Sequence, residues 1–75
     1  MQVRAIGFFL NVDTSETFTN SLDLTIVGPV HRNKTSIKKA LCRHASLTED
    51  NLDTVLVLQS NGSDRAPVVI AHWRD

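Results

Sequence analysis

The side chains of this chain best suited to covalent or metal chemistry are Cys42, His31, His44 and His72, which could serve thiolate catalysis or zinc binding. The spacing favours neither. Cys42 and His44 stand two apart in a segment that reads as helix, so they point about 200° apart and cannot work as nucleophile and base. A cysteine–histidine pair would need His31 or His72 instead. Positions 31, 42, 44 and 72 contain no C-x-x-C or H-x-x-x-H spacing for zinc. The sharpest hydrolase or nuclease would pair His31 or His72 with an acid such as Asp23. Gly7, Gly28 and Gly62 are scattered singly, which leaves no phosphate-binding loop, and no G-x-S-x-G or H-E-x-x-H pattern occurs. Cys42 therefore reads as a small packed hydrophobe, His44 as a core or boundary residue and His72 as half exposed near a strand end. No residue is assigned as catalytic, cofactor-binding or metal-ligating.

Charge patterning gives a second candidate. The chain holds eight Lys+Arg against eight Asp+Glu, yet from His31 to His44 there are Arg32, Lys34, Lys38, Lys39 and Arg43 and no acid. Acids flank that segment, with Asp13, Glu16 and Asp23 before it and Glu49, Asp50, Asp53 and Asp64 after. The five cations with Trp73 form the expected partner-binding set. Such a patch fits an acidic protein surface, whereas a dedicated nucleic-acid domain usually carries a clear positive excess. The competing reading is a solvated helix face. Trp73, the single tryptophan, either completes the sheet with Val55 and Val57 or serves as an interface anchor beside Arg74.

These residues need elements to position them. Thr35–His44 has apolar Ile37, Ala40 and Leu41 at i, i+3, i+4, continued by His44 and Ala45, which predicts a helix with basic residues on its other arc. Asn33, Thr35 or Ser36 is the expected N-cap, and the helix should stop near Ala45. Ser46-x-x-Glu49 has capping-box spacing and predicts a second helical turn over Leu47–Leu52. Residues 2–12 alternate with apolar groups on both faces, as in an interior strand. Residues 17–27 put Phe18, Leu22, Leu24 and Ile26 on one side and polar residues on the other, as at an edge. Turn formers at Asp13–Glu16 predict a hairpin in which Val12 pairs with Phe18, Phe8 with Leu22 and Ile6 with Leu24, or a register two residues away. Residues 54–60 and 66–73 are two further strands. A loop at Asn61–Arg65 would pair Leu58 with Val68 and Leu56 with Ile70. The predicted fold is one α+β domain over residues 1–75, β-β-α-β-β, with a four-stranded, mostly antiparallel sheet and one main helix on one face.

A chain of 75 residues buries only roughly 60% of its unfolded surface, so a partner surface would stabilise it. One cysteine excludes an internal disulfide and suits a reducing, cytoplasmic setting. The apolar run before Asn11 and Asp13 is too short for a signal peptide, and no stretch approaches a membrane span. Strands one, three and four are apolar on both faces, but one helix covers only part of one face. A homodimer or a hydrophobic docking surface is therefore expected, with Val55, Val57 and Val69 as its interface if they lie on the uncovered side. The alternative is that sheet twist and the Gly28–Asn33 loop close that face internally.

Gly7-Phe8-Phe9, Asn11, Phe18-Thr19 after a short acidic turn, and Lys39-Ala40-Leu41 together resemble the corresponding run in the Dmd family of small phage antitoxins. The resemblance spans roughly the first 41 residues with gaps. It implies a counter-defence protein that binds and neutralises a host RNase toxin, and it assigns no role to any single residue. The chain departs from that pattern by a longer loop before the helix and by the apolar strand Ala66–Trp73. The expected function is a non-enzymatic protein-binding module, a phage-type inhibitor that occludes a host defence or toxin enzyme with an acidic surface. The alternative is nucleic-acid binding through the basic 32–43 region. No cofactor and no membrane contact is expected.

Overall fold

The alternating apolar runs form four strands around a single α-helix, described in a computed structural model for residues 1–59 and 66–74. In chain order these are β1 (Gln2–Asn11), β2 (Glu16–Thr25), a 3-10 turn (Val30–Asn33), α1 (Lys34–Ala45), a second 3-10 turn (Glu49–Asn51), β3 (Leu52–Gln59) and β4 (Val68–Arg74). The sheet order is β2-β1-β3-β4, and every neighbouring pair is antiparallel. The α+β architecture and the β-β-α-β-β order are those predicted. Since β2 and β3 both run against β1, they run parallel to each other. Parallel strands need a long crossover, and α1 provides it, carrying the chain past β1.

Helix α1 packs on the sheet through Ile37, Leu41 and Cys42, all buried. The sheet meets it with Val3, Ala5 and Phe9 of β1, Val55 and Val57 of β3 and Ala71 of β4, while Leu22, Leu24 and Trp73 pack at the margins. Gly7 lies in the middle of this face. A Cβ there would stand 2.9 Å from Phe9 Cε2 and 3.3 Å from Leu52 Cδ1, so the missing side chain leaves room for these two side chains in the layer beneath α1. Among the described residues no helix is long and apolar enough to cross a membrane.

The first hairpin differs from its predicted register. Asn11 ends β1 because its Oδ1 accepts the Asp13 N–H at 3.1 Å, and Ser15 takes a left-handed φ of 58°. Val12 thus belongs to a four-residue loop, and pairing closes at Asn11 with Glu16. Even positions of β2 then face odd positions of β1, with Leu22 opposite Ala5, Leu24 opposite Val3 and Phe18 opposite Phe9. That parity selects the helix-facing side. Val55 and Val57 sit opposite Gly7 and Ala5, are 1% and 0% exposed, and lie beneath α1. They cannot form an interface with a second copy, contrary to expectation; of that set only Val69, 52% exposed, is accessible.

Two other expectations change. Ser46 is the left-handed C-cap of α1, with its N–H bonded back to Arg43 O, so it does not cap a new helix with Glu49. The turn over Glu49–Asn51 is 3-10 and follows Thr48. Asn51 Nδ2 ties it to β1 by donating to Leu10 O at 3.2 Å. Between β3 and β4, Leu56 pairs with His72 and Leu58 with Val69 around a bulge that leaves Ile70 as the extra residue. The predicted pairs Leu58–Val68 and Leu56–Ile70 are therefore displaced. The predicted Asn61–Arg65 loop lies outside the described residues.

Candidate protein-binding surface

The surface is built around Trp73. Pairing of Trp73 with Val55 places its ring on the helix-facing side of edge strand β4, where it is half-buried against the core. The segment between β2 and α1 meets it there. Gly28 adopts φ +82°, a conformation that side chains disfavour, and so reverses the chain after β2. Asn33 then holds the turn, its Nδ2 donating to Val27 O at 3.0 Å and Pro29 O at 2.9 Å. The Asn33 side chain is thereby committed to the loop. It stands at the predicted N-cap position but makes no capping bond to the helix.

The turn delivers His31 and Lys34 to the tryptophan. The His31 ring lies edge-on to Trp73, with centroids 6.3 Å apart and planes at 65°. Lys34 Nζ sits 5.9 Å from the ring centroid, within the range of a cation–π contact. Arg32 is exposed on the same turn, and Lys39 and Arg43 are exposed one helical turn apart on α1, whereas Lys38 is half-buried. Helix α1 has no acid in its first turn and no side-chain N-cap. Lys34 therefore stands at the positive end of the helix dipole, at a cost of about 0.3–1 kcal/mol, and Lys39 and Arg43 repel each other at i, i+4 by a few tenths of a kcal/mol, although Arg43 in the last turn is itself favoured by the dipole. An anionic partner would offset both.

The cysteine and histidines do not assemble. Cys42 is 7% exposed, and burial, reinforced by the negative charge of Glu49, raises its thiol pKa, so it is no activated nucleophile. His44 does not join the apolar stripe; it is exposed, with Nδ1 2.7 Å from Asn20 Oδ1 of β2. His72 is exposed on the opposite side of the sheet from its neighbour Trp73. Among the described residues no three His, Cys, Asp or Glu side chains converge on a possible metal position. Asp23, proposed as a partner acid, instead accepts from Arg4 Nε at 2.8 Å, and that bond lowers its pKa.

Sequence reasoning included Trp73 and Lys34 in the binding set but missed that they touch, and it missed His31 as their neighbour. The available signal was Gly28-Pro29 with Asn33, residues suited to folding a loop back on the sheet. No protein family, curated protein or solved structure matches the chain. The fold and this surface define a small α+β domain with a cationic, tryptophan-centred face.

Proposed function

We propose that the chain is a cytoplasmic, non-enzymatic protein-binding module, a phage-type inhibitor that occludes a host defence or toxin enzyme by docking on an acidic part of its surface. The observation that carries this reading is the Trp73–Lys34–His31 contact. It joins the one tryptophan to the basic segment, and a half-buried tryptophan held by a histidine ring and covered by one lysine ammonium is the composition of an interface anchor. Support comes also from Lys34 at the positive end of the helix dipole and from the Lys39–Arg43 like-charge pair, both of which an anionic partner would relieve. The resemblance of the first half to Dmd antitoxins gives the same direction. Among the described residues the thiol is buried and the histidines stand apart, His31 at Trp73 and His44 at Asn20.

The test is capture from a nuclease-treated bacterial lysate by the immobilised protein and by Lys39→Glu/Arg43→Glu. The reading expects a protein retained by the parent and lost by the double variant. Equal retention by both, or none by a folded parent, would overturn it.

A further inference from the structure

The sheet has a second face, and nothing in the chain's described residues lies over its centre. Alternation along β1 and β3 turns Ile6, Phe8, Leu56 and Leu58 away from α1, and each is half-buried only by its neighbours in the sheet. Two hollows occupy the ends of this face. One of about 600 Å³ crosses all four strands from Thr19 through Phe8 and Leu56 to His72, and one of about 440 Å³ lies beside Arg4 and Leu58. Ile6, between Arg4 and Phe8 on β1, lines neither and stands between them.

We propose that this open face is the interface between two copies of the chain, packed sheet to sheet with both α1 helices outward. Two features select a second copy. The first is charge. Arg4 and Asp23 neutralise each other across β1 and β2, and Asp53 lines the same hollow as His72 near Arg74. The face is balanced, so an acidic or basic partner gains nothing there, while an equally balanced copy meets no repulsion. The cationic surface around Trp73 is on the other side and stays free, displayed twice. The second feature is area. Four strands at ~4.8 Å spacing and ~8 residues in length give roughly 500 Å² in plan, and side-chain relief brings this towards the ~800 Å² per partner of a standard interface. The whole face is needed and the whole face is apolar at its centre, as in aligned sheet-on-sheet packing.

The test is the mass in solution by light scattering at tens of micromolar, with Leu56→Lys in parallel. Leu56 is only half-buried in the single chain, so this variant should keep the parent's circular dichroism. The expected result is twice the 8.3 kDa chain mass for the parent and a single-chain mass for Leu56→Lys. Should the variant not fold, the parent carries the test alone: a mixture of isotope-labelled and unlabelled protein should give contacts between Leu56 methyls of one copy and the Phe8 ring of the other. A single-chain mass for the parent, a dimer indifferent to Leu56→Lys, or a dimer lacking those contacts would overturn the proposal. This outcome is independent of lysate capture, which reports on the opposite face.

Discussion

Lys34 stands over the ring of Trp73, joining the first turn of the helix to the outer strand of the sheet at 5.9 Å. Each residue restricts the other: the ring limits where the ammonium can go, and the ammonium keeps one ring face dressed with charge. Lys34→Met and Trp73→Leu, singly and together, should show a coupling of about 0.5–1 kcal/mol in a double-mutant cycle of urea unfolding, the range for a cation–π pair at an exposed site. Additive effects would mean the contact contributes nothing to the fold.

Gly7→Ala should destabilise by about 1–3 kcal/mol, because the new methyl would lie 2.9 Å from Phe9 and 3.3 Å from Leu52 in a packed layer. Chemical denaturation measures this directly. A neutral substitution would mean that the Phe9 and Leu52 side chains shift to admit a methyl at no cost.

Val57→Lys should abolish cooperative unfolding and leave no folded protein whose mass could be compared. Val57 is fully buried beneath α1, and an ammonium placed there costs on the order of 4 kcal/mol or more, against about 5 kcal/mol of total stability for a small domain. Circular dichroism reports it. A folded Val57→Lys variant would place that side chain on the open face.

Cys42 should react with a thiol reagent more slowly than free cysteine at pH 8, since burial and the Glu49 charge raise its pKa and shield the sulfur. The same shift has a sign in stability. A raised folded-state pKa favours the protonated thiol, so its contribution is fully present below the unfolded pKa, about 8.5, and is lost as pH rises through the higher folded value. Stability measured from pH 8 to 10 should therefore fall for the parent more than for Cys42→Ala.

The helix, the four strands and their order along the chain were legible because their periodicity is local: Ile37 and Leu41 one turn apart, Leu22 and Leu24 alternating with polar residues. The register was not, and a single side chain decided it. Asn11 spends its amide oxygen on the Asp13 N–H, ends the strand one residue before Val12, and so exchanges the parity of the pairing. From that one step follows the identity of the covered face, with Val55 and Val57 inside and Leu56 and Leu58 outside. Ser46 misled for a comparable reason: its sequence context suits an N-cap, but the C-terminus of α1 claims its backbone first. In the candidate surface the cations were readable as a charge pattern, whereas the meeting of Lys34 and Trp73 depends on tertiary packing that no spacing encodes.

The emission of Trp73, the only tryptophan in the chain, tests most directly whether the surface around it binds protein. It should be followed while the protein retained from lysate is added, and in parallel while single-stranded and duplex oligonucleotides are added at ~50 mM and ~200 mM salt. The account predicts a saturable change in emission with the protein, weakened by Lys39→Glu/Arg43→Glu, and none with either oligonucleotide. A saturable change with oligonucleotides that fades at the higher salt, and no change with protein, would contradict it and establish the basic segment as a nucleic-acid site.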